Sequence, residues 1–355
     1  MSAEHDTTTP GAFAGRLCSG FAGAFAGAFA GALTELPLQA VFKNGGFLMA
    51  MGSWTLDGGS GMDDYAVFVT SQGEAAVYQG TNPAAAATWG LVGVYDIGKP
   101  IGRRCMAKLG GDLLIITTDG VVPASKAFVK ARSDKAIAIT DVIQGAMASS
   151  VGLYGAEFGW ELTLYPEGSA LIMNVPVSTG QHQYVMNTYT KAWCRFTRWE
   201  ANCFAEMNGA LYYGGSTVVN KAWTGASDLG IAITGDLISA FNYFGDRSHF
   251  KYMTMMQPIL GWDVAPSSIL IGVNMDFETS DPTSEITLPS SSGSVWDTGL
   301  WDTAVWGGDS EIKNSWYTAV GTGYAVALHI KVTSSLAANL NFSAVNFVYE
   351  RGSPL

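Results

Sequence analysis

The chain has 355 residues, of which 48% are hydrophobic and only 14% are charged, and its net charge is −11. This composition excludes an intrinsically disordered chain, and so few charges are typical of a subunit whose surface meets partner subunits. The negative charge argues against a protein that binds nucleic acid by neutralising phosphates, although it does not exclude a protein past which DNA slides without sticking.

Residues 1–40 are predicted to form a Gly/Ala/Phe-rich arm. Residues 11–33 are almost wholly Gly, Ala and Phe, with Phe21, Phe25 and Phe29 spaced by four. The acidic, polar start lacks the basic residues of a secretory signal, and glycine costs about 1 kcal/mol per helical position, which disfavours a transmembrane helix. We therefore expect an arm that is flexible or ordered by a partner. A membrane-active segment and a translation start assigned too far upstream are the alternatives.

Residues 41–228 are predicted to form a propeller-like domain of repeated antiparallel β units. Glycine, the commonest residue with 43 copies, and many aromatic residues favour short strands joined by tight turns. Apolar runs separated by turn residues predict five hairpins, with strands at 65–70 and 74–78, 113–116 and 121–123, 160–165 and 170–175, 183–186 and 193–197, and 202–206 and 211–213. These units recur at roughly 40–50 residues, as propeller blades do, and a pair of β-sandwiches is the competing architecture.

One helix is predicted inside this domain, at residues 140–150. Val142, Ile143 and Met147 are expected to share its apolar face. Thr140 is expected to be the N-cap, with its hydroxyl accepting a hydrogen bond from a backbone N–H of the first turn.

Residues 229–355 are predicted to form a β-sandwich-like domain with longer strands. Its strands are expected at 252–260, 268–276, 324–332 and 340–348. Between them Trp296, Trp301 and Trp306 recur every five residues, which fits neither a strand nor a helix. We interpret these tryptophans as candidate interface residues, and packing in the domain's own core and stacking on sugars remain open.

The sequence contains no catalytic motif and no zinc-ligand spacing, so neither an enzyme nor a cofactor-binding protein is expected. The four cysteines form no CxxC pair and are expected to be free thiols. His182 lies near Cys194 and Cys203 in the sequence, but a Cys–His pair on this evidence alone is expected to be chance.

Two polar segments are candidate binding sites. Asp57, Asp63 and Asp64 are weak candidates for calcium because the ion takes oxygen ligands, although the segment lacks the alternating acidic positions of an EF-hand and is interpreted as a solvated loop. Arg103 and Arg104 form a modest basic spot that is expected to pair with acidic surface on a neighbouring subunit.

Several segments of the sequence resemble those of a family of phage and prophage virion proteins. They include DYAVFVTSQGEAAVYQ at 64–79, GDLLIITTDGVV at 111–122, QYVMNTYTKAWCRF at 183–196, the corner FGDR at 244–247 and the double WDT at 296–306. The family looks like the β-propeller head-closure (stopper, or DNA-stabilisation) and tail nozzle proteins of short-tailed bacteriophages.

The resemblance implies a structural virion protein of the neck or tail, assembled in the host cytoplasm without a membrane anchor. It implies a homo-oligomeric ring, usually of six copies, that contacts the portal, the adaptor and tail proteins. Such a head-tail connector closes the head channel and passes DNA at ejection without sequence-specific binding. A tail nozzle or a receptor- or glycan-binding tail protein is the alternative. Relatives of this kind carry more β-rich sequence upstream, so closure of the propeller within one chain stays open.

Overall fold

The structure, a computed structural model, describes residues 36–57, 62–80, 82–83, 87–129, 137–288 and 311–354. The fold is all-β, as predicted, with 55% of residues in strands and 7% in helices. The strands form several antiparallel sheets, and no closed propeller or barrel is detected in the described part of the chain. The chain divides into two compact units, with unit 1 ending at Asn220 and unit 2 beginning at Lys221. The predicted domain boundary lies nearby, between residues 228 and 229.

Unit 1 contains fourteen strands in chain order. They are β1 (Leu48–Asp57), β2 (Met62–Thr70), β3 (Glu74–Gly80), β4 (Trp89–Asp96), β5 (Met106–Leu109), β6 (Asp112–Thr117), β7 (Gly120–Pro123), β8 (Glu161–Tyr165), β9 (Ala170–Val177), β10 (Gly180–Asn187), β11 (Trp193–Thr197), β12 (Cys203–Met207), β13 (Ala210–Gly214) and β14 (Val219–Lys221). They form sheet A (β1 to β4), sheet B (β5 to β7), sheet C (β8 to β11) and sheet D (β12 to β14), and in each sheet sequence neighbours lie side by side.

The five predicted hairpins are all present. Strands β2 and β3, β6 and β7, β8 and β9, β10 and β11, and β12 and β13 pair antiparallel. The turn of the first hairpin requires glycine, because Gly73 has φ 90° and a Cβ there would lie 2.5 Å from the carbonyl carbon of Gly98. Local turn residues and apolar runs were therefore sufficient to find these elements.

One hydrophobic cluster joins sheets A, B and C. It includes the fully buried Val69 of β2, Ile115 of β6 and Leu171 of β9. A smaller cluster lies around Phe68 on the other face of sheet A, where Leu36 and other residues of the preceding segment pack against the sheet. The last residues of the predicted arm at 1–40 thus belong to unit 1, and residues 1–35 lie outside the described residues.

The predicted helix is present but differs in two details. A short helix α1 (Ala124–Ala127) precedes it, then a 3-10 turn (Asp141–Ile143) leads into α2 (Gln144–Tyr154). Thr140 is the N-cap residue of the 3-10 turn, but the predicted cap hydrogen bond is absent, because its hydroxyl instead accepts one from the Val121 N–H at 3.1 Å. Met147 is buried as expected, whereas Val142 is 83% exposed because it lies in the 3-10 turn and not on the helix face.

Unit 2 contains the remaining nine described strands. They are β15 (Ser227–Asp228), β16 (Ile231–Ile238), β17 (His249–Trp262), β18 (Ser268–Met275), β19 (Ser284–Glu285), β20 (Glu311–Lys313), β21 (Tyr317–Gly323), β22 (Val326–Ser334) and β23 (Leu340–Pro354). Sheet E has the order β15-β16-β22-β18-β19, and in sheet F strand β17 pairs with β20, β21 and β23. The four predicted long strands correspond to β17, β18, β22 and β23.

Both sheets of unit 2 contribute to one hydrophobic core. Met256 and Leu260 of sheet F and Ile271 and Leu328 of sheet E are among its buried members. Along β17 buried positions alternate with less buried ones, as expected for a strand with one face on a core. Unit 2 is therefore two sheets that share one core.

Candidate subunit interface

The predicted interface tryptophans Trp296, Trp301 and Trp306 lie outside the described residues. Asp57, Asp63 and Asp64 do not form a loop: Asp57 ends β1, and the other two lie in β2. Asp64 faces Thr55 across the hairpin and accepts a hydrogen bond from its hydroxyl at 2.7 Å. The strands extend further towards the turn than the glycine-rich sequence suggested.

Arg103 is exposed, and the adjacent Arg104 has an acidic partner within its own chain. The Arg104 Nη1 atom lies 3.1 Å from Oε2 of Glu161, at the start of β8. The same two residues form a parallel β-bridge, and the Leu162 N–H donates to the Arg104 carbonyl at 3.0 Å. The guanidinium thus ties the segment before sheet B to sheet C, although the side chain remains 51% exposed.

Glu161 is the buried partner of this ion pair. Its Oε2 atom also accepts a hydrogen bond from the Phe204 N–H of β12 at 3.1 Å. Burial raises the pKa of the Glu161 carboxyl above its ordinary value, and the Arg104 charge and these hydrogen bonds oppose that rise. In return the Glu161 carboxylate raises the pKa of Arg104. One carboxylate therefore connects sheets C and D and the segment before sheet B.

Glu161 belongs to a row of buried polar side chains across sheet C, which we call the polar ladder: Glu161, Asn174 and Gln183. The three are direct cross-strand neighbours on β8, β9 and β10. Asn174 Nδ2 donates to the carbonyl of Ala201 at 2.9 Å, and Gln183 Nε2 donates to that of Trp199 at 2.8 Å. Together with Glu161 they hold the backbone that leads into sheet D, so sheets C and D are joined by hydrogen bonds with defined partners.

The polar ladder was not foreseen from the sequence. Its members are isolated polar residues in otherwise apolar strands, and such positions do occur at satisfied buried sites. The signal was present in β9, where Asn174 is the only amide in the run ALIMNVPV. Its partners, 27 residues away at Ala201 and 15 residues away at Gly159, could not be read from local sequence.

Cys105, Cys194 and Cys203 are the free cysteines in the described residues, and two of them have a raised pKa. Burial raises the pKa of Cys105 to about 11 and also raises that of Cys194, which disfavours the thiolate form of both side chains. Cys194 lies opposite Val185 in the sheet register, whereas His182 lies opposite Thr197. A thiolate–imidazole pair is not formed there.

A second polar cluster lies on sheet E around His329, which is buried. The His329 Nε2 atom lies 2.7 Å from Oδ1 of Asp236 on β16, and its Nδ1 atom donates to the carbonyl of Ser280 at 2.7 Å. Asp281 completes a group of three residues whose ligand atoms lie within 4.8 Å, but its carboxylate is paired with the Lys331 ammonium at 3.0 Å. That ammonium opposes a bound cation, and the cluster joins β16, β22 and the 280–281 segment.

Unit 2 has an open flank where apolar surface meets a free strand edge. Strand β16 pairs with β22 along residues 233–238. Among the described residues its other edge is paired only at Ile231 and Ala232, by the two residues of β15. Strand β23, fifteen residues long, pairs with β17, and the described residues place no strand on its other edge. Edges of this kind accept strands from other chains.

An apolar groove of about 590 Å³ runs along this flank, and we call it the flank groove. It is lined by β16 and β22, by the 336–338 connection and by the first residues of β23. Ile233, Gly235 and Leu237 lie on one face of β16, directly opposite Ser334, Val332 and Ile330 of β22. Ile330 is a member of the unit 2 core, so the groove continues the core face of sheet E onto β16. There the described part of the chain leaves Ile233 and Leu237 exposed.

The chain matches no known protein-family model and no curated protein. Among the described residues no helix is long and apolar enough to span a membrane. The candidate interface therefore stands on its own geometry, and its principal feature is the open flank of unit 2.

Proposed function

We propose that this protein is a structural component of a bacteriophage particle. It forms a homo-oligomeric ring in the neck or tail that closes the head channel, joins it to the tail and passes DNA at ejection. The proposal assigns no catalytic step to the chain. The observation that carries it is the open flank of unit 2, because an uncovered core face beside a free strand edge requires a partner chain.

The arrangement of the sheets in unit 1 supports a rigid structural role for this unit. Four sheets of three or four strands follow one another in chain order, as blades do in a propeller, and we propose a propeller-like arrangement on that basis. A shared apolar cluster joins sheets A, B and C, and the polar ladder joins sheet C to sheet D. Such cross-linked sheets resist deformation, which a ring must do against packaged DNA.

The charge of the chain supports passage of DNA without retention. A net charge of −11 per subunit becomes a strongly negative total in a ring. Carboxylates facing a channel repel phosphates, whereas a basic channel would release bound counterions and hold the duplex. We therefore expect DNA to bind the assembled protein only weakly, even at low salt.

Native mass spectrometry of the purified full chain tests the ring. A single closed oligomer, with six copies as the resemblance implies, is the expected result, and its abundance should fall on dilution. A monomer that persists at the highest soluble concentration contradicts the proposal. Ile231, exposed on β16, provides the variant: Ile231→Arg is expected to weaken the oligomer, whereas Leu153→Arg on the exposed side of α2 serves as the matched control.

A further inference from the structure

The flank groove has the features of a sandwich that lacks one strand. Its floor is apolar, and it lies beside six residues of β16 whose outer backbone edge has no strand partner in the described part of the chain. Six residues of extended chain span about 20 Å. Asp236 is the one charged residue among those lining the groove, and its carboxylate is held by His329. The ligand that fits is an extended, uncharged segment with apolar side chains on one face.

Residues 11–33 of this chain have that pattern when read as a strand. Because side chains two residues apart lie on the same face, the spacing of four places Phe13, Leu17, Phe21, Phe25, Phe29 and Leu33 all on one face. Glycine or serine separates them on that face, while the opposite face is alanine except for Cys18, Gly20 and the single charged residue Arg16. Successive large side chains would stand about 13 Å apart, so the free edge accommodates two of them with the glycine between.

We propose that residues 11–33 of a neighbouring copy add as a strand to the free edge of β16 and bury phenylalanine side chains in the flank groove. The inference rests on the proposed function, because a ring of identical subunits offers each groove one arm from the adjacent copy. Backbone hydrogen bonds along β16 supply pairing, and the apolar floor selects the phenylalanine face. The arm leaves its own subunit at Leu36, which packs against sheet A of unit 1.

Full-length variants in the arm and in the groove test this exchange. Phe25→Asp places a carboxylate on the groove-facing side, and Leu237→Arg places a charge in the groove at a residue that is already half exposed. Each is expected to weaken self-association at least about tenfold, because a charge cannot be buried in an apolar site without a partner. The matched controls Ala24→Asp and Thr234→Arg lie on the opposite faces of the arm and of β16 and should associate as the unmodified protein does.

Mixing the two defective variants decides whether the arm acts between copies. The intact arm of the Leu237→Arg chain fits the intact groove of the Phe25→Asp chain, so sedimentation analysis of the mixture should show one-to-one dimers that neither variant forms alone. Absence of these dimers overturns the inference, as does normal association of Phe25→Asp. If the Phe25→Asp variant still forms a ring, the arm exchange is wrong but the proposed function is not contradicted. If the unmodified protein remains monomeric, the proposed function is contradicted.

Discussion

Glu161 shows how much of unit 1 depends on one buried carboxylate. It accepts from the Arg104 guanidinium and from the Phe204 N–H, and it is the first residue of the polar ladder. Removing an acceptor from a buried N–H costs about 1–3 kcal/mol, more than a typical hydrogen bond contributes. We expect this loss of stability in β8, which begins with Glu161, and in β12, which contains Phe204.

Glu161→Ala is therefore expected to lower the opening free energy of β8 and β12 by about 1–3 kcal/mol, since the Phe204 N–H and the Arg104 charge both lose their acceptor. Hydrogen–deuterium exchange resolves the effect by segment. Glu157→Ala, at an exposed residue four positions earlier, is the matched control and should leave the exchange of both strands unchanged. Equal effects of the two variants would refute the role of Glu161.

The pH dependence of Glu161→Gln provides a second prediction. The folded pKa of Glu161 is raised by burial, so its contribution to stability is fully present below the unfolded value near 4.5 and is lost as pH rises through the folded pKa. Urea unfolding should thus show the unmodified protein losing stability relative to Glu161→Gln as the pH rises above the unfolded value of about 4.5. A relative gain above that pH would mean that Arg104 dominates and depresses the pKa.

Gly73 and Gly110 both have a positive φ, and substituting each with alanine separates the cost of that backbone conformation from the cost of a steric clash. Gly73→Ala is expected to cost roughly 3 kcal/mol, since it combines a positive φ with a Cβ placed 2.5 Å from the Gly98 backbone. Gly110→Ala also has a positive φ but meets no atom within 4 Å, so about 1 kcal/mol is expected. The urea midpoints of the two variants give the comparison, and equal midpoints would exclude the close approach of Gly98.

The roles of individual residues could be predicted from the sequence where they depend on residues nearby in the chain. The turn at Gly73 follows from the residues that flank it. Arg104 was recognised as a basic residue, yet its partner Glu161 lies 57 residues away, and nothing local distinguishes that pair from an intersubunit contact. The roles of Asn174 and Gln183 were missed for the same reason.

Among the elements, strands were predictable where apolar residues alternate and turns contain glycine. Strand β2 begins at Met62, before the predicted position 65, because its pairing with β1, which was not predicted, continues through Leu56 and Asp63. The predicted cap hydrogen bond is absent because the Thr140 hydroxyl instead accepts from the N–H of Val121 in β7, 19 residues away in the sequence. Tertiary hydrogen bonding overrode the local preference for an N-cap.

Strand β17 contains a buried lysine that tests how unit 2 is held together. Lys251 is 1% exposed, and its ammonium donates to the carbonyls of Asp246, Tyr324 and His249 at 2.6, 2.7 and 3.3 Å. Lys251→Met leaves these carbonyls without their donor and is expected to destabilise the start of β17 and β22 by about 1–3 kcal/mol. Lys221→Met, at an exposed position, is the control. Unchanged exchange of β17 in Lys251→Met would contradict this role.

At the scale of the whole molecule, sequence patterns predicted the all-β class and the long strands of unit 2 but not how the sheets join. That joining depends on contacts between distant residues, such as those of the polar ladder, and on the uncovered face of β16. Strand β16 was not among the predicted strands, and its exposed apolar residues have no covering element in the described chain. We propose that a partner chain covers that surface.

Cryo-electron microscopy of phage particles assembled in cells that make this protein tests the proposed ring. We expect a ring of identical copies between the portal and the tail, with the flank groove of each copy at a subunit boundary and an unobstructed channel on the axis. Particles that lack the protein, or copies scattered singly on the particle surface with the flank groove facing solvent, would contradict it.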